Sequence, residues 1–138
     1  MKNTTILAVS VLLLAPVTFS ACSSSSAYTV GDTITGVADQ PDALWMSAVT
    51  AIQGMGGRVT VRDRASGTLV GMLDVEGRQV QLDVYLRTPS RMGSDLTDLD
   101  VRVSVVGDDD PGAVWIDTLQ RILDEYLGRV QQGLVGLR

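Results

Sequence analysis

The spacing of apolar positions changes repeatedly along the chain, and each change predicts an element. Tyr28 to Val37 mixes Tyr, Thr, Val and Ile with Gly31 and Gly36, which suits a short strand. Pro41 fits a first helical turn with Asp42 beside it. Leu44, Trp45, Ala48, Val49, Ile52 and Met55 then recur at helical spacing until Gly56-Gly57 stops the run. From Arg58 to Arg64 the period falls to two, with Val59 and Val61 expected on one face and Thr60, Arg62 and Arg64 on the other. Gly67 to Val75 continues in strand composition, Glu76-Gly77 marks a turn, and Gln79 to Arg87 alternates with Val80, Leu82, Val84 and Leu86 on one side. A polar loop from Pro89 to Asp95 follows, and then Leu99, Val101, Val103 and Val105 alternate with Asp98, Asp100, Arg102 and Ser104. Gly107 to Pro111 breaks this strand. Trp115, Leu119, Ile122, Leu123, Tyr126, Leu127 and Val130 line one stripe of a last helix, expected to end near Gly128 to Gly133.

The order is therefore β-α-β-β-β-β-α. Strands that are polar at every second position cannot form a parallel sheet buried on both faces. The fold class expected is α+β: an antiparallel sheet of four to five strands with two helices covering one face, similar in chain order to helix-grip folds. Trp45 and Trp115 lie in the apolar stripes and are read as core anchors.

Ahead of this domain, Lys2 supplies a positive start and Ile6 to Val17 an apolar run too short to span a bilayer core of about 30 Å. Residues 1–21 are read as an export signal, 22–27 as a tether and 28–138 as a single domain. The signal ends in Phe19-Ser20-Ala21-Cys22, which resembles the bacterial lipobox, with Phe19 where Leu is usual. The resemblance implies that the Cys22 thiol accepts diacylglycerol before cleavage in front of it. An ordinary signal cut near Ala21 or Ala27 would leave the single Cys of the chain without a role. Several acyl chains at Cys22 would anchor the protein stably, since each buried methylene contributes about 0.8 kcal/mol. The run Ser23 to Ser26 follows, and from Cys22 to Ala27 the chain reaches at most about 18 Å. Ser rather than Asp after the lipidated Cys resembles the signal for transfer to the outer membrane, which implies a periplasm-facing domain in a two-membrane host.

From Ala43 to Leu127 the chain has a Trp-bearing helix, a Gly-Gly stop, a Val-rich strand, a Gly-Thr-hydrophobic strand and a closing helix after Val-Gly-Asp. In this it resembles small bacterial lipoproteins grouped as a domain-of-unknown-function family. Those motifs are patterns of core and turn, so no site residue is carried over.

Composition removes several chemistries. With no His and one Cys, Cys/His zinc sites, His-based triads and intrachain disulfides are excluded. Once Lys2 leaves with the signal, ten Arg remain as the only cations and the formal charge falls from -5 to -6. Nucleic acid is an unsuitable partner for such a surface, and anionic lipid gives it no purchase. Asp108-Asp109-Asp110 lacks the spacing of a calcium loop and is read as a cap, with Asp110 at the N-cap and Pro111 in the first turn. Asp98 and Asp100 fall on a wet strand face, and no nucleophile elbow surrounds Ser47, Ser66, Ser90, Ser94 or Ser104. Gly54, Gly56 and Gly57 follow a helix and close it instead of opening a phosphate loop.

No enzyme, metal or cofactor is expected. Arg62, Arg64, Arg78, Arg87 and Arg102 all point outward by alternation and are read first as solvated surface cations, with a small anion- or peptide-binding patch on the wet face as the alternative. The function expected is that of a membrane-anchored envelope lipoprotein acting as a non-catalytic interaction or assembly module, its partner another envelope protein. The partner face predicted is the polar side of the sheet, with Arg62, Gln81, Tyr85, Arg87 and Arg102. The alternative is a small-ligand binder with a cavity between sheet and last helix, roomy where Gly71 sits in a strand.

Overall fold

The computed structural model describes residues 28–38, 41–87 and 96–136. The export signal, Cys22 with its serine tether, and the loop expected from Pro89 to Asp95 lie outside the described residues. The elements follow the expected order: β1 (Thr29–Ala38), α1 (Pro41–Gly54), β2 (Arg58–Asp63), β3 (Thr68–Val75), β4 (Arg78–Arg87), β5 (Thr97–Val105) and α2 (Ala113–Val135). The fold is α+β, with one five-stranded sheet in the order β1-β5-β4-β3-β2 and every neighbouring pair antiparallel. Both helices lie over one face. Among the described residues no helix is long and apolar enough to cross a membrane.

Local chemistry explains the joints. Glu76 and Gly77 both have positive φ, which gives the tight β3–β4 turn the twist that two antiparallel strands need. At the end of α1, the Gly57 N–H donates to the Ile52 carbonyl and the Gly56 N–H to that of Gln53. Gly56 between them has a φ of 78°, so the helix is closed by a left-handed glycine as its Gly-Gly stop predicts. Arg129 of α2 lies against Gly54 and brings a cation to the negative end of α1.

The core lies between sheet and helices. Leu69, Leu73, Val80, Leu82, Val84, Leu99, Val101 and Val103 from the strands meet Leu44, Ala48, Ile52, Leu119, Leu123 and Val130 from the helices. Trp45 is buried with them. Trp115 is only half-buried at the margin, where the Arg78 guanidinium lies 4.9 Å from its ring centre. It clamps the core's edge and does not anchor its middle.

Two buried hydrogen bonds fix the helices to each other. The Ser47 hydroxyl donates to the Val130 carbonyl at 2.7 Å, and the Tyr126 hydroxyl donates to that of Ala48 at 3.2 Å. A side chain on Gly133 would collide with Ser47, so this glycine lets the helices touch. That contact is why α2 runs through Gly128 and Gly133 to Val135 instead of ending near them. Two interior glycines cost about 1 kcal/mol each against Ala, and the packing of Val130 and Leu134 offsets it.

Burial pushes the Tyr126 phenol well above its ordinary value. The unfolded phenol loses its proton near pH 10 while the folded one keeps it, so stability is flat below pH 10 and falls above it. The loss is expected to reach about 1.4 kcal/mol per pH unit. Urea titrations from pH 8 to 11.5 are expected to show the fall in the natural protein and lose it in Tyr126→Phe. An unchanged alkaline slope in Tyr126→Phe would contradict this. With no His, and Lys only at Lys2, few other groups obscure the result.

The start of α2 differs from expectation. Gly112, with a φ of 84°, occupies the N-cap, and no side chain caps the helix. Pro111 is buried ahead of it, and the chain turns into the helix at Gly112, whose positive φ favours glycine. Asp110 is therefore not the cap. Asp108 does the ordering instead: one carboxylate oxygen accepts the Asp110 N–H at 3.1 Å and the other pairs with Arg78 at 2.8 Å.

The second difference lies in β2. Val59 pairs with Gly71 and Val61 with Val70, so Thr60 is an extra residue that forms a bulge. Beyond it the alternation inverts. Val61 moves to the face away from the helices, and Arg62, opposite the buried Leu69, moves to the helix side. The opposite edge, β1, also shifts register between Ile34 and Ala38, and the Asp32 carboxylate accepts the Thr33 N–H at 2.8 Å.

Candidate functional site

The face of the sheet away from the helices is open, and strand register determines which side chains share it. One row across the strands holds Arg58, Met72, Gln81 and Ser104. The next holds Val61, Val70, Asp83, Arg102 and Gly31, and a third Asp63, Thr68, Tyr85, Asp100 and Thr33. Arg87 and Asp98 close it at one end.

Four of the five residues expected on this face are there: Gln81, Tyr85, Arg87 and Arg102. Arg62 is not, because the Thr60 bulge turned it to the other side. Tyr85 stands half-buried between two cations, its ring centre 5.8 Å from both the Arg87 and the Arg102 guanidinium carbons. The stem of Arg102 crosses Gly31, where a β-carbon would lie 3.3 Å from Arg102 Cγ. A bare strand position thus makes room for the arginine. The guanidinium then reaches Asp100 at 3.4 Å, and Asp100 also accepts from the Thr33 hydroxyl at 3.4 Å. Gln81 donates to Asp83 at 2.8 Å, and Asp98 accepts the Gly36 N–H at 2.8 Å.

These contacts remove the simple anion patch. Arg64 pairs with Asp42 of α1 and Arg78 with Asp108, away from the face. Arg87 and Arg102 stand among Asp83, Asp98 and Asp100, so a phosphate-rich ligand meets more negative charges there than positive ones. At the β2–β3 turn the Ser66 N–H, and after it the Ser66 hydroxyl, hold the Asp63 carboxyl below its usual range. Such a carboxylate is a turn acceptor and does not hold a proton for acid catalysis.

Sequence reasoning missed the apolar half of the face. Val61 is 44% exposed, and Val70 and Met72 are half-buried beside it. The signal was in β3, whose Leu69, Val70, Met72 and Leu73 are apolar on both parities; a strand with one wet side does not read that way.

The space expected at Gly71 is filled. A β-carbon there would lie 2.8 Å from Ile52 Cδ1 and 2.9 Å from Cγ2, so the Ile52 side chain occupies it. Between sheet and α2 there is a cleft at the margin, lined by Met55, Leu73, Val75, Thr118 and Ile122. Ser47 is committed to the helix contact. Among the described residues no three His, Cys, Asp or Glu side chains come together in a way that could hold a metal ion. No protein-family model matches the chain, and no curated protein matches it.

Proposed function

We propose that this chain is a lipid-anchored envelope protein of the outer membrane, facing the periplasm, whose domain acts as a non-catalytic interaction module. Its open sheet face binds another envelope protein. The observation that carries the reading is the composition of that face: Tyr85 between Arg87 and Arg102, next to an apolar group of the exposed Val61 and the half-buried Val70 and Met72. Aromatic, Met and Arg side chains are enriched in protein interfaces. Interleaved carboxylates favour a protein partner of mixed charge over nucleic acid or an anionic head group. Resemblance of Phe19-Ser20-Ala21-Cys22 to a lipobox supports the anchor, and the domain's pattern of core and turn positions resembles small lipoproteins of a domain-of-unknown-function family.

Anchoring raises the local concentration of the domain around any partner in the same membrane. A weak face is then sufficient, because the second contact is effectively intramolecular. The small-ligand alternative has less to support it, since Ile52 fills the strand position on which it depended.

Photo-crosslinking in native cells tests the reading, with a photoactivatable residue at Met72 on the open face or at Gln120 on α2. A specific adduct is expected from Met72 and not from Gln120. Tyr85→Ala combined with Arg87→Ala is expected to reduce it at least about fivefold, about 1 kcal/mol of contact, with the thermal midpoint nearly unchanged. Adducts from Gln120 alone would move the interface to the helices. A specific turnover by purified protein, abolished by changing one carboxylate, would make the protein an enzyme.

A further inference from the structure

We propose that the domain stands end-on against the lipid bilayer, with Tyr28, Val106 and Val114 in contact with the head-group layer. The inference rests on the lipid anchor at Cys22 and goes beyond it by assigning the surface that meets the membrane.

Strand directions gather one end of the molecule. Thr29 at the start of β1 pairs with Ser104 near the end of β5, and Val105 pairs with Val80 near the start of β4. The β3–β4 turn at Glu76-Gly77, the segment from Val106 to Gly112 and the first turn of α2 therefore belong to the same end. Tyr28 is fastened there, its N–H donating to the Asp109 carbonyl at 3.3 Å. The described chain begins at this residue. From Cys22 to Tyr28 a fully extended chain covers only about 20 Å, so an acylated Cys22 holds this end near the lipid.

The same end carries apolar side chains that the core does not use. Val114 is 79% exposed, Val106 45% and Tyr28 40%. A tyrosine with a wet hydroxyl and an apolar ring suits the head-group layer, where aromatic residues collect at membrane surfaces. Glu76, Asp108, Asp109 and Asp110 belong to the same end. These acids resist deep insertion and favour zwitterionic over anionic head groups. The strands then run away from the membrane, and the open face stands clear of it.

The test uses the full lipidated protein in phosphatidylcholine vesicles. Because Cys22 is acylated, a cysteine introduced by Asp110→Cys or Ala65→Cys is the reactive thiol for a fluorescent donor, with an acceptor on the lipid head groups. Ala65 lies in the β2–β3 turn, at the far end of β3, whose eight residues span about 26 Å. Transfer from position 110 is expected to be at least about twice that from position 65. Tyr28→Ser, Val106→Ser and Val114→Ser together are expected to narrow the difference, as is an added fraction of anionic lipid. Equal or reversed transfer by vesicle-bound protein would overturn the orientation and leave the anchor standing. A lipid-treated protein that stays in solution would overturn the anchor itself.

Discussion

Ile52→Ala is expected to cost about 2 to 5 kcal/mol and Gly71→Ala about 1 to 3 kcal/mol, yet the double variant is expected to cost clearly less than their sum. Ile52 is fully buried, and its Cδ1, Cγ2 and Cγ1 atoms all approach the position that a β-carbon on Gly71 would take. Removing the isoleucine opens a cavity. Adding a methyl at Gly71 pushes into a packed side chain. Together the new methyl occupies part of the new cavity, so the two changes compensate. Urea midpoints of the four proteins give the coupling directly. Strict additivity would mean that Ile52 and Gly71 do not share the space attributed to them.

Cys22→Ala is expected to move the protein almost completely from the membrane to the soluble fraction. Acyl chains at Cys22 would be strong enough alone to hold the protein at a membrane, whereas an acidic domain gains little from charged lipid. The lipid contacts proposed for Tyr28, Val106 and Val114 would be too few to hold the domain without them. Fractionation of cells, with mass spectrometry of the mature N-terminus, measures both the location and the acyl mass. Retention of a correctly cleaved Cys22→Ala protein in the membrane would place the anchor elsewhere.

Much of the fold was legible because β4 and β5 alternate strictly and the helices carry continuous stripes. The Gly56-Gly57 stop was legible for a local reason, since the hydrogen bonds that close α1 lie within six residues. What escaped depended on partners distant in sequence. The bulge at Thr60 is a property of how β2 pairs with β3, and no spacing within Arg58 to Asp63 announces it. From it follow the misplacement of Arg62 and the apolar exposure of Val61. Asp110 carried a cap signature, but the helix starts two residues further on, after the buried Pro111 and the turn at Gly112. Gly71 read as space because a glycine's own residue type cannot reveal which side chain approaches it. Gly133 read as a stop for the matching reason: its neighbour Ser47 lies 86 positions earlier in the chain.

The two edges of the sheet bear on how any partner can be read. β2 is six residues long and is broken by its bulge, while on β1 the Asp32 carboxylate already occupies the Thr33 amide. A foreign strand seeking to extend the sheet meets an interrupted ladder on one side and a pre-empted donor on the other. Main-chain addition, which accepts almost any extended peptide, is thus disfavoured at both margins. Discrimination falls to side chains on a flat surface, where one altered residue in a partner can be refused.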